Sequence, residues 1–337
     1  MKTELNVRTF LASLLFALIL IVPYEYYFRE IEKYPRSHEL ESFDIWADQR
    51  AQVPALDSKD IVILGSSRGH FDINIHVWDS LTGRRPLMLA YPGSSPFFPM
   101  EDIVNETSFS GTLIVSSAPG LFYTIRSGRG ANRGKKFVDH FYNRTYAQRF
   151  NQQIFYLYES SLSFLNKSLS LKNIIESRFI LPNRDSINNP PVWPPMVAMD
   201  KYRNIRMNPF FEKDSAMIKA QTDIWYNPDF KNRFVDSVDV IINHYVSLAH
   251  KLQARGGKVV FIRPPVSDWY LTEEAEHFPR EKYWDRLIDE CNCVGYSYED
   301  FKETKDMIPP EWSHLNRKDS DEYTKFLVNQ LSKDKIL

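Results

Sequence analysis

Short, almost wholly apolar runs punctuate this chain, and each breaks off at a turn rich in Gly, Ser or Pro. DIVIL at 60–64 enters GSSRGH, PLMLA at 86–90 enters YPGSSP, and TLIVS at 112–116 enters SAPG. Much later, KVVFIR at 258–263 follows two glycines and runs into Pro264 and Pro265, and a weaker run lies at 294–298. Runs of this length between turn signals, separated by longer stretches of mixed polar and apolar periodicity, predict parallel strands alternating with helices. The fold class is therefore α/β, with a central parallel sheet of about five strands. In open parallel sheets ligands collect outside the carboxyl ends of the strands, so all these turns fall on the edge where a site is expected.

Roughly 140 residues separate the third run from the fourth, too many for one crossover. Within them, 135–179 reads as helices with aromatic and aliphatic residues at mixed three- and four-residue spacing, and LPNRDSINNPPVWPPM at 181–196 reads as a loop. A further helix is predicted over 229–255, stopped by Gly256 and Gly257, and a short amphipathic helix over 322–331 closes the chain. The interval at about 120–230 is an insertion over the sheet edge, serving as a lid or as scaffolding.

Ahead of the first strand stands FLASLLFALILIV at 10–22, preceded by Lys2 and Arg8 and followed by Pro23, Tyr24, Tyr26, Tyr27 and Phe28. An uncharged run with an aromatic belt fits a membrane-spanning helix, although 13 residues fall short of the usual ~20 and need help from flanking side chains. PYEYY lacks the small residues of a signal-peptidase site, and a buried core helix is the other reading. We expect an uncleaved anchor in the lipid bilayer over 9–28 with residues 1–8 cytoplasmic. A stalk or packing helix over 29–57 and a domain over 58–333 follow, outside the cytoplasmic membrane (in a bacterium, in the periplasm or at the surface).

A net charge of −1 over 337 residues gives no electrostatic case for binding nucleic acid. The only cysteines, Cys291 and Cys293, are one residue apart; a bond between them would close a very tight ring, so they read as small packing residues. No metal site and no organic cofactor is implied.

Two distant segments carry candidate chemistry. Gly65-Ser66-Ser67-Arg68-Gly69 directly follows the first strand, and Glu311-Trp312-Ser313-His314 precedes the last helix. A serine hydroxyl needs an imidazole to take its proton, and the imidazole needs a carboxylate to set its tautomer. An acid three residues before a histidine supplies both of those from one loop. GSSRG also fits the G-x-S-x-G elbow of α/β-hydrolases, but that elbow comes after several strands, whereas only an anchor and a stalk precede this one.

In order and spacing these segments resemble the blocks of the SGNH (GDSL-like) hydrolases, whose fold is a three-layer sandwich around a parallel sheet. The resemblance maps the nucleophile to Ser67, with Ser66 in the place of an aspartate, and the base to His314, with Glu311 in the place of the orienting aspartate. It maps one oxyanion donor to Gly93 in YPGSS and a second to the Ser67 N–H. The family's third block carries an asparagine; here SSAPG stands instead, and Ser117 is the substitute. GSSR, SHLN and the anchor together resemble single-pass extracytoplasmic members that work beside membrane-bound O-acyltransferases in alginate acetylation and teichoic acid D-alanylation. That implies an O-acyltransferase or esterase acting on a polysaccharide or other glycan acceptor, with a membrane-bound O-acyltransferase as partner. A free carbohydrate esterase and a non-catalytic glycan-binding or scaffold protein are the alternatives. Candidate substrate-binding side chains are Arg68, His70 and Arg263; His70 equally suits a structural hydrogen bond, and Arg263 a buried ion pair.

Overall fold

The computed structural model describes residues 6–32, 41–124, 129–159, 162–165, 169, 171, 194, 196–226 and 237–337. Five parallel strands form its central sheet: β1 (Ile61–Leu64), β2 (Leu87–Met88), β3 (Thr112–Ser116), β6 (Lys258–Arg263) and β7 (Val294–Ser297), in the order β2-β1-β3-β6-β7. Each of the five apolar runs expected as strands is thus a strand. Side chains alternate between the two faces, as the two-residue period requires. Val62, Leu64, Leu113, Val115, Val259 and Phe261 face one core, covered by the helices Phe43–Arg50, Phe97–Glu106 and Val238–Gln253. Ile61, Ile63, Ile114, Val260 and Ile262 face the other, under the helices Ile75–Thr82 and Arg317–Lys333. The result is a doubly wound sheet whose order reverses at β1 and β3, opening a crevice at their carboxyl ends.

The apolar N-terminal helix runs from Val7 to Ile31, 25 residues, longer than the 9–28 expected because the tyrosine-rich turn stays helical beyond Pro23. At 1.5 Å per residue this exceeds the ~30 Å hydrocarbon thickness of a bilayer. None of Val7–Tyr26 is buried.

The segment placed in a stalk joins the domain from Ser42 onward. Ser42 caps the helix Phe43–Arg50 through its Oγ (3.2 Å to Ile45 N), Trp46 is fully buried with Nε1 donating to Leu89 O at 2.9 Å, and Arg50 pairs with buried Asp102. Of the insertion, the described parts are the helices Arg129–Asn143 and Tyr146–Glu159, a two-stranded antiparallel hairpin of β4 (Val197–Met199) and β5 (Ile205–Met207), and the helix Ser215–Trp225. Most of the expected loop at 181–196, and the expected helical stretches at 172–179 and 229–236, lie outside the described residues.

The hairpin closes the sheet's open edge. Fully buried Arg203, held at φ 62 in the hairpin turn, donates to Met88 O (2.6 Å) and Ala90 O (2.8 Å) and pairs with Glu41. Edge carbonyls that would template another strand are thereby satisfied. Cys291 and Cys293, expected as separate packing residues, are instead joined as a disulfide. Asn292 between them has φ 49, and this reversal at the helix end sets their Cα atoms 5.2 Å apart.

Removing residues 1–28 should move the protein from the membrane pellet to the soluble fraction. Extending the deletion to residue 57 should cost the fold its Trp46 contacts. Trp46→Ala in the otherwise intact chain should lower stability by ~3–5 kcal/mol, read as a fall in unfolding temperature.

Candidate functional site

The turn after β1 is shaped by contact with the end of β3. Gly65 has φ 154, and a Cβ there would stand 2.7 Å from Ser116 Cβ; a Cβ at Gly69 would stand 2.6 Å from the same atom. Only glycine permits that approach. The short helix Ser67–Phe71 therefore begins directly over the crevice. Ser66 is buried at 1% exposure, while Ser67, the first helical residue, is partly exposed, so of the two hydroxyls Ser67 is the accessible one. Being first in its helix, Ser67 has an N–H without an intrahelical acceptor.

His314 comes to this helix from the far end of the chain. Its ring stacks on Phe71 (centroids 4.3 Å apart, planes at 28°), and Phe71 lies one turn after Ser67 on the same helix face. Nδ1 of His314 is 2.8 Å from Glu311 Oε1, which also accepts from the His314 backbone N–H at 2.6 Å. Glu311 Oε2 accepts from Trp225 Nε1. Both Glu311 and His314 are buried, and among the described residues His314 Nε2 has no hydrogen-bond partner. An imidazole held by a carboxylate at Nδ1 and left open at Nε2 is disposed to take a proton from a hydroxyl and return it.

The loop carrying His314 is pinned on both sides. Asp72 Oδ1 accepts from Leu315 N at 2.8 Å, Arg68 Nε donates to Ser313 Oγ at 3.3 Å, and Ser267 N donates to Trp312 O at 3.0 Å, where Trp312 sits at φ 75. Burial pushes the Asp72 carboxyl well above its usual range, against the opposing pull of the Leu315 N–H and Arg68; the neighbouring Glu311 adds to the rise.

The other candidates divide. Gly93 (φ 69) lies in the loop beyond β2, brought beside the β1 turn by Tyr91 N donating to Gly65 O at 3.0 Å. Ser117 follows β3 with its N–H spent on Ile262 O (2.8 Å) and its Oγ buried beside the Tyr123 hydroxyl. Arg68 flanks the site but pairs at 2.6 Å with buried Glu274; burial works against the guanidinium, yet the charge and hydrogen bond of Glu274, together with Tyr270 and Asp72, leave its pKa raised. Arg263 takes the ion-pair alternative, with Glu299 at 2.8 Å and Glu274 at 3.9 Å. His70 points away: Nε2 contacts Arg203 O at 2.7 Å and Nδ1 lies 3.4 Å from Glu41. Burial, with the Arg203 charge behind it, holds the His70 imidazole well below its ordinary pKa.

Phe71, Asp72, Trp225 and Glu274 were not anticipated from sequence. Each acts on a partner far along the chain, and none sits in a recognisable motif. No family model matches the sequence, and a search of the curated proteins finds none similar to it. What is defined is an α/β protein with a five-stranded parallel sheet, an apolar N-terminal helix, and a buried Glu311–His314 pair whose imidazole stacks on Phe71 of the helix that Ser67 begins.

Since the folded His70 resists protonation, the unfolded chain takes up a proton that the fold refuses once pH drops below the unfolded value near ~6.5. Its contribution is therefore neutral above that pH and destabilising below it. His70→Gln should flatten the fall in unfolding temperature between pH 7.5 and 5; parallel curves for both proteins would refute the depressed pKa.

Proposed function

We propose that this chain is an extracytoplasmic serine-dependent O-acyltransferase or esterase of the SGNH (GDSL-like) class, acting on a cell-envelope polysaccharide. The observation that carries the reading is the buried Glu311–His314 pair, open at Nε2 and stacked on the helix that Ser67 begins. In this reading Ser67 Oγ attacks the acyl carbon of an ester or thioester while His314 Nε2 takes the hydroxyl proton. Glu311 stabilises the imidazolium through Nδ1. The N–H groups of Ser67 and Gly93, with the Ser117 hydroxyl, receive the developing oxyanion. Collapse expels the alcohol or thiol, which leaves with the proton from His314, and an acyl-serine remains. A sugar hydroxyl or water then gives its proton to His314 and attacks the acyl carbon, releasing Ser67.

The N-terminal helix supports transfer over hydrolysis, because it would keep the domain within reach of an acyl donor handed across the membrane. A membrane-bound O-acyltransferase is the partner this calls for, with the domain on the periplasmic or outer face. Arg68 and Arg263, being paired to carboxylates, contribute to the shape of the site rather than to anion binding.

A fluorophosphonate probe should label the wild-type protein at one serine. Ser67→Ala and His314→Ala should abolish labelling, Ser66→Ala should retain it, and Glu311→Gln should slow it by ~10²-fold or more. A folded wild type that never labels would leave the chain a binding or scaffold protein.

A further inference from the structure

Gln221 is fully buried, yet neither its Oε1 nor its Nε2 has a hydrogen-bond partner among the described residues. Buried amides are almost always paired, and an idle one costs stability, so this side chain calls for an explanation. Its helix, Ser215–Trp225, makes two contacts that locate it. Met217 and Ile218 pack on the cluster that includes Phe71, and Trp225 donates through Nε1 to Glu311. Ile218, Gln221 and Trp225 follow one another at three- and four-residue spacing, along a single face of the helix. Phe71 carries the His314 ring, Glu311 holds its Nδ1, and the Trp225 ring centroid lies 5.9 Å from that of His314, so the end of this helix is brought beside the imidazole. Two buried polar groups have no partner among the described residues, His314 Nε2 and the amide of Gln221, which stands one helical turn before Trp225.

From this, and resting on the acyl-transfer reading above, we infer that Gln221 is a substrate-contacting residue whose side-chain Nε2–H donates to the carbonyl oxygen of the acyl group under attack by Ser67. The need for such a donor is visible at the end of β3, where the Ser117 N–H is already committed to Ile262 O and only a hydroxyl is left. The insertion then completes the site in two ways: Trp225 orients Glu311, and Gln221 reaches the reacting group. In the resting protein the amide waits unpaired, and the substrate supplies the missing acceptor.

The test uses the full-length protein in detergent micelles with a fluorophosphonate probe, whose P=O oxygen occupies the position of the acyl oxygen. Labelling rates are measured for wild type, Gln221→Ala and the nearly isosteric Gln221→Met, together with unfolding temperatures. We expect both variants to label Ser67 about 10²-fold more slowly, as removal of an oxyanion donor does, with the pH midpoint of labelling unmoved. Gln221→Met should melt at or above the wild-type temperature, because it removes an unpaired buried amide. A merely structural glutamine would show the reverse pattern. Labelling by Gln221→Met at the wild-type rate, or a clear fall in its unfolding temperature, overturns the inference and leaves Ser67 chemistry standing. A wild type that does not label overturns both together.

Discussion

The close approach of the β1 exit turn to the end of β3 is the constraint on which this site depends. With Ser116 Cβ within 2.7 Å of where a Gly65 Cβ would lie, and 2.6 Å from the corresponding point at Gly69, the helix that Ser67 begins can sit directly on the sheet edge. From that seat follow the partly exposed Ser67, the Phe71 ring under His314 and the Asp72 carboxyl that holds Leu315 N. A side chain at either glycine would lift the helix and with it every contact to the C-terminal loop.

Around this seat the polar groups are buried in pairs rather than scattered. Arg68 and Arg263 converge on Glu274, and Arg263 continues to Glu299, tying the helices at the carboxyl edge to β6 and to the turn after β7. Removing one member would strand its partner's charge in a dry interior, so these residues act on the site through shape and rigidity. The same logic separates the two histidines beside Ser67. His314 keeps a buried Nε2 without a partner among the described residues. His70 is closed in by Arg203 and Glu41 and resists carrying charge.

The insertion is as much a part of the architecture as the sheet. Arg203 seals the β2 edge, and Trp225 reaches Glu311 from the last turn of its helix. An apolar N-terminal helix long enough to cross a bilayer precedes the domain, and the helix Phe43–Arg50 returns the chain directly to the sheet.

What could be read along the chain was whatever depends on neighbours in sequence. A parallel strand buried on both faces must be an unbroken apolar run, so β1, β3, β6 and β7 were legible, as was β2 despite its two residues. The Glu311–His314 pair is a three-residue spacing on one loop, and the apolar N-terminal helix is a composition. Chain distance hid the rest. Whether Arg263 would meet a ligand or a carboxylate turned on Glu274 and Glu299, and whether His70 would face the crevice turned on Arg203 and Glu41. Gln221 and Trp225 look like any polar and aromatic pair on an amphipathic helix until that helix is laid against Phe71 and Glu311. Local periodicity determined the elements; only tertiary packing decided which polar groups are spent on each other and which are left open, because burial and pairing are set by neighbours that the chain brings from a distance.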